Sequence, residues 1–250
     1  MTPTQSPAES ERPRADLKRG FVFLSASFPS KEQSPHDFEN ADAAEISQAI
    51  VAVTRAVLSS NGQLVFGGHP TVTPLVLMVA QEYLPENSAE RREIAGRKGL
   101  PVVVYQSEIF RPYVPESTRN LFQWHFGTVS WTEKDQNEVL EFTEAGRPKP
   151  GTAPKSLEIM RTKMIAETKP FAAFFIGGME GIRDEAKICR AVNQRCQLFY
   201  LGAPGGAARQ LAEENLKALQ GPFQEFAHDM LKSRSYPALV QNLIRILSRE

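Results

Sequence analysis

Apolar residues in this chain fall into short unbroken runs rather than alternating patterns. Phe21-Val22-Phe23-Leu24 stands between Gly20 and the small residues Ser25-Ala26-Ser27. Leu64-Val65-Phe66 leads into Gly67-Gly68, and the run from Phe171 to Ile176 leads into Gly177-Gly178. Val102 to Tyr105 and Leu198 to Leu201 are of the same kind, and 126–131 is a weaker sixth. Short runs rich in β-branched and aromatic residues, closed by small ones, read as buried strands. Because none alternates, both faces are covered, which is the pattern of a parallel sheet between helices.

Helical spacing fills the intervals. Ile46, Ile50, Val53 and Val57 share one face, opened by Asp42 and Glu45 as a variant capping box and closed by Asn61-Gly62. Thr73-Pro74 supplies an N-cap and a first-position proline for a helix through Leu84. Ser156 to Glu167 gives a third helix, and Ile182, Ala186, Cys189 and Val192 mark a fourth. Pro237 opens a last one, with Leu239, Leu243 and Ile246 on a stripe that suits either the core or a second subunit. The repeated order of strand and helix predicts an α/β fold, a Rossmann-like three-layer sandwich with a mainly parallel central sheet and right-handed crossovers. It is expected as a single domain over 20–250, with insertions near 108–125 and 143–155. Residues 1–19 carry Pro3, Pro7 and Pro13 without an apolar stretch, and read as a disordered tail rather than a signal peptide.

Composition narrows the function. With 29 basic and 29 acidic residues the formal charge is zero, so a general nucleic-acid binder is disfavoured. Two cysteines, Cys189 and Cys196, exclude a disulfide scaffold and read as buried and neutral. The histidines at 36, 69, 125 and 228 have no metal-ligand spacing, so no metal and no cofactor are expected. No apolar run approaches the roughly 18 residues of a membrane span, and a cytoplasmic location is expected.

In an open α/β sheet, ligands bind beyond the carboxyl ends of the strands, near the point where strand order switches. The first strand should be central, and its end, Ser25-Ala26-Ser27, lets a ligand approach the backbone or simply packs tightly. After the second strand come Gly67, Gly68, His69, Thr71 and Thr73, two glycines ahead of a helix start. Free amides and the helix dipole would make an anion site there. His69 is either a ligand contact or structural. After the 171–176 strand come Gly177, Gly178, Met179, Glu180, Gly181, Arg183 and Glu185, where a carboxylate can accept both hydroxyls of a ribose. Two glycine turns on one crevice point to a nucleotide-derived ligand, phosphate at one turn and sugar at the other. The 108–125 insertion, with aromatic rings and arginines, either closes over a base or serves as a flap or subunit contact.

These three strand ends together resemble the SLOG superfamily, which groups the LOG-type phosphoribohydrolases with DprA/Smf proteins and bacterial sensor domains. Val22 to Ser27 resembles the family's first strand and its serine-containing end, and Leu64 to Gly68 its second strand and glycine turn. Ile176 to Glu185 is similar to the family's Gly-Gly-x-Gly-Thr-x-x-Glu motif, with one residue inserted and Ile182 for the threonine. The likeness covers roughly 21–203 and is nearest to short SLOG sensors of anti-phage conflict systems, relatives of domains that bind cyclic ADP-ribose-like signals. It implies catalytic roles for Glu180 and Glu185 if the chain is an enzyme, and Arg111 or Arg183 in place of the family's arginine. The resemblance therefore implies a sensor of an ADP-ribose-like or cyclic nucleotide, homo-oligomeric and acting through a separate effector protein. The alternative is a LOG-like nucleotide N-glycosidase.

Overall fold

Burial along the strands sorts the side chains into two hydrophobic layers. Val22 and Leu24 belong to one buried cluster and Phe23 to the other. Leu64 and Phe66 likewise part from Val65, and Phe174 and Ile176 from Ala173 and Phe175. A sheet apolar on both faces must be covered on both. The computed structural model, which describes residues 15–219 and 221–249, shows this sandwich.

Six strands make the sheet: β1 Phe21–Ser27, β2 Gln63–Phe66, β3 Val102–Ser107, β4 Thr128–Thr132, β5 Ala172–Gly177 and β6 Gln197–Leu201. Their order is β4-β3-β2-β1-β5-β6, and every pairing is parallel. All carboxyl ends therefore lie on one edge. One layer takes α2 Ala43–Ser59, α3 Thr73–Tyr83, α5 Glu116–Gln123 and α10 Tyr236–Leu247. The other takes α6 Pro154–Thr168, α7 Glu180–Val192 and α8 Gly206–Asn215. The chain moves outward from β1 to β4 and returns through α6 to β5 on the other side of β1. The switch in strand order thus falls between β1 and β5.

Local chemistry explains most boundaries. The Asp42 carboxylate accepts from the amides of Ala44 and Glu45 and caps α2. Glu45 does not complete a capping box; it accepts from the Tyr236 hydroxyl at 2.6 Å, tying α10 to α2. The apolar stripe of α10, including Leu239 and Leu243, is spent on this core rather than on a free surface. Thr73 does not act as a cap either, since its hydroxyl donates to the His69 carbonyl. α6 is capped from a distance by Glu138, which accepts from the amides of Lys155 and Ser156 and from the Ser156 hydroxyl.

Two expectations shift. Leu17 is buried and its amide donates to the Ser60 carbonyl, so the packed chain starts before Phe21; residues 1–14 of the expected tail lie outside the described residues. The 108–125 insertion divides into a 3-10 segment, Glu108–Tyr113, on the carboxyl edge, and α5. Because α5 leads into the start of β4, Trp124 and His125 sit at the amino edge, away from any ligand at the strand ends.

Candidate functional site

At the switch point, three side chains from separate elements meet over the end of β1. The Ser25 hydroxyl, 1% exposed, donates a short hydrogen bond to one carboxylate oxygen of Glu185 on α7. The other oxygen accepts from Nε of Arg161 on α6 at 3.2 Å. Arg161 also lies 3.7 Å from Asp184. Both members of the central pair are largely withdrawn from water, with 18% of the Arg161 side chain and 14% of Glu185 exposed. Burial pushes the Glu185 carboxyl above the ordinary carboxylate range, although the charge of Arg161 and the Ser25 bond pull it down.

Helix geometry brings the pair together. α6 and α7 pack side by side on the same face of the sheet. Gly181 leaves the gap through which Arg161 passes, since a Cβ there would stand 2.7 Å from the guanidinium. Met160 covers the end of β2, 3.5 Å from where a Cβ of Gly67 would lie.

Most of the expected site residues have other work. The amides of Val72 and Thr73 both donate to the His69 carbonyl, and that of Leu75 to Val72, while Pro74 has none. The start of α3 is therefore closed by its own chain and is not an anion cradle. His69 Nδ1 bonds Thr71, and Thr73 is buried, so His69, Thr71 and Thr73 form a self-contained turn. The glycines also answer to packing. Gly68 has φ +62 and a Cβ would meet Val104 at 2.6 Å. Gly177 and Gly178, at φ +62 and +72, leave no room for a Cβ beside Ile46 and Ile182. The Gly178 amide donates to Ser27 and its carbonyl accepts from Ala207. Both turns flank β1 as expected, but they are filled by the protein itself. Ala26 faces the opposite layer, and Met179 caps α7 without a side-chain bond.

Of the two glutamates, only Glu185 enters the cluster. Glu180 is 70% exposed and pairs with Arg183 and Lys187. Arg183 turns toward α8, where it bonds Gln210. That contact extends to Asp37 on α1 (Pro35–Glu39), the short helix in the loop after β1, through Gln210 at 3.2 Å.

The family model of SLOG cluster3 matches residues 36–243. The chain belongs to the SLOG cluster3 family. No curated protein matches it. Among solved structures it is similar to the X-ray structure of TM1055, a Northeast Structural Genomics Consortium target, at 13% identity over 78% of this chain and 81% of that one, with a TM-score of 0.46.

Within this SLOG cluster3 chain, neither Arg111 nor Arg183 reaches Glu185. Arg111 is exposed, bonded to Glu108 and stacked over Trp131 at 4.2 Å. Arg161, absent from the sequence reading, is the arginine at the site. Its only signal was position: it shares a helix face with Met164, three residues on, which is fully buried. Among the described residues no group of three His, Cys, Asp or Glu side chains is placed to hold a metal ion, and no helix is long and apolar enough to cross a membrane. Shallow concavities lie elsewhere, one of about 240 Å³ beside β6 around Cys196 and Tyr200, another of about 360 Å³ around Arg91 and Trp124.

Proposed function

We propose that the SLOG chain binds a nucleotide-derived signal, of ADP-ribose-like or cyclic type, with a ribose of that ligand at Glu185. One observation carries the reading: a buried carboxylate, fixed by Ser25 and Arg161 at the switch point of the sheet. Burying an ion pair costs desolvation that its attraction does not reliably recover, so such a pair seldom serves stability alone. A carboxylate offers about four lone-pair positions. Ser25 and Arg161 occupy two, which leaves two for the adjacent hydroxyls of a ribose. The resemblance set out above adds the rest of the reading: a sensor in anti-phage defence, in the cytoplasm, as a homo-oligomer that passes the signal to a separate effector.

Hydrolysis of an N-glycosidic bond is the second reading, and Glu185 favours it. A carboxyl raised by burial gives up its proton less readily than an ordinary one and so is better suited to donate it to a leaving base. A carboxylate beside the sugar carbon would also stabilise positive charge developing there. Both readings use the same crevice and differ in turnover.

A thermal-shift titration with ADP-ribose, NAD and AMP tests them together. A ligand that binds the folded state alone raises the melting temperature with concentration. At least one of the three should do so, and Glu185→Gln should remove the response. Base released by the wild type and not by Glu185→Gln would establish the hydrolase; no shift with any of the three would defeat both readings.

A further inference from the structure

The end of α7 and the start of β6 bring the chain's two cysteines together at the amino edge of the sheet. Cys189 lies in the last turn of the helix, and Cys196 stands directly before the strand. Between them Asn193 reverses the chain. Its amide donates to the Cys189 carbonyl at 2.9 Å, and its carbonyl accepts from the Cys196 amide at 3.0 Å. Its side chain donates to the Pro170 carbonyl at 2.7 Å and fixes the turn. Both cysteines therefore join the same buried cluster, and the Cys189 thiol donates to the Cys196 sulfur. The Cys196 thiol donates in turn to the Gln197 carbonyl at 3.8 Å.

The two thiols differ in access. Cys189 is fully buried, whereas Cys196 lines the concavity of about 240 Å³ beside β6. That space is several times the roughly 30 Å³ share of one liquid water. Tyr200 lines it too, and the Tyr200 hydroxyl accepts from Arg190 at 3.3 Å, keeping its own hydrogen for a departing oxygen. The bond to Cys196, together with burial, holds the Cys189 thiol above the ordinary thiol range, so Cys189 is the later of the two to lose its proton.

We propose that Cys196 and Cys189 form a dithiol that a hydroperoxide, entering by the concavity beside β6, converts to an intramolecular disulfide. The site is independent of the Glu185 reading. In the first step the Cys196 sulfur attacks one peroxide oxygen. A sulfur–oxygen bond forms, the oxygen–oxygen bond breaks, and the thiol proton leaves with the second oxygen as water or an alcohol. In the second step the Cys189 sulfur attacks the sulfenic sulfur of Cys196. A sulfur–sulfur bond forms, and the hydroxyl departs with the Cys189 proton as water. One peroxide is reduced by two electrons and two thiols are oxidised by two. Hydrogen-bonded sulfurs need approach by only about 2 Å to reach a disulfide's roughly 2.05 Å, so closure outruns further oxidation.

The experiment treats the full chain with one equivalent of hydrogen peroxide, then counts thiols after denaturation and maps tryptic peptides. Arg190 and Arg195 stand between the cysteines, so trypsin parts them unless a disulfide joins the pieces. The wild type should lose both thiols and yield the joined peptide, lighter by two hydrogens, in a protein that runs as a single chain without reductant. Dithiothreitol should restore both thiols. Cys189→Ala should instead carry a sulfenic acid at Cys196, captured by dimedone, and Cys196→Ala should keep its thiol. A wild type that keeps both thiols, gains oxygen on either cysteine, or links two chains overturns the proposal, and this arm needs no variant to fold. Oxidation of Cys189 in Cys196→Ala as fast as that of Cys196 in Cys189→Ala overturns the entry by the concavity.

Discussion

Two arginines, Arg91 buried and Arg161 largely withdrawn from water, mark the two ends of the sheet, and they are held in opposite ways. Arg91, on α4 (Ser88–Lys98), lies at the amino edge, 5% exposed. It donates to the carbonyls of Trp124, Pro85 and Glu86 at 2.6–2.7 Å and covers the Phe126 ring at 4.1 Å. Those carbonyls stand just past the ends of α5 and α3, where helix dipoles place partial negative charge. Arg161, at the carboxyl edge, faces whole carboxylates, Glu185 and Asp184. The first arrangement joins main-chain carbonyls, which have no way to change charge. The second joins side chains that can be rearranged, one of which can take up a proton. An arginine bonded only to main-chain carbonyls serves the fold, while one bonded to titratable groups at the switch point is, on the function proposed above, the one a ligand would meet.

The largest effect should separate the two. Arg91→Met leaves three carbonyls unpaired, at a cost of about 2–4 kcal/mol, or roughly 5–15 °C in melting temperature for a chain of this size. Its affinity for whichever nucleotide shifts the wild type should not change. At neutral pH Arg161→Met should cost about 3 kcal/mol, because Glu185 must bury an unpaired charge or take up a proton, and that cost should shrink toward pH 4, where the proton is freely supplied. That variant should lose nucleotide affinity by about tenfold or more. Thermal denaturation and titration on the two variants check both halves. Losses that changed equally, or not at all, between neutral pH and pH 4 would erase the distinction between the two arginines.

How far the sequence shows this contrast depends on where each partner lies. The strands were legible because each is a short apolar run with a small-residue end, and their limits moved by only a few residues. α4 was not, because Arg91 is its only buried residue and no apolar stripe betrays it. The glycines of 68, 177 and 178 announced unusual backbone, and all three do have positive φ. Their purpose was not legible, since the side chains that fill the space around them, Val104, Ile46 and Ile182, come mostly from distant positions. Glu185 was visible through its glycine-rich approach. Its partners were not: Ser25 is 160 positions away and Arg161 is 24. Charge pairing across such distances leaves no local pattern, whereas periodicity does.

A smaller effect tests the proton that distinguishes Arg161's surroundings. Burial raises the Glu185 carboxyl above its ordinary value of 4.5, against the pull of Arg161. An acid so raised binds more protons in the folded chain than in the unfolded one. Stability must then fall as pH rises from that ordinary value through the folded one. Glu185→Gln cannot ionise, so its melting temperature should decline less than that of the wild type across the same interval. The comparison is made by thermal denaturation from pH 4 upward, and parallel curves would show that Arg161 cancels the burial.

The smallest effect is expected one helical turn away. Glu180 precedes Glu185 on α7 and the sequence makes it an equal candidate, yet its side chain is in water, near Arg183 and Lys187. Exposed pairs of this kind are worth about 0–1 kcal/mol and weaken with salt. Glu180→Gln should therefore shift the melting temperature by no more than about 2 °C and leave nucleotide affinity within about twofold, since no group in the Ser25, Glu185 and Arg161 cluster touches it. A loss comparable to that of Glu185→Gln would mean that α7 turns on binding and carries Glu180 inward. The exposed face of that helix would then belong to the bound state, and the contrast between the two arginines would hold only for the unliganded protein.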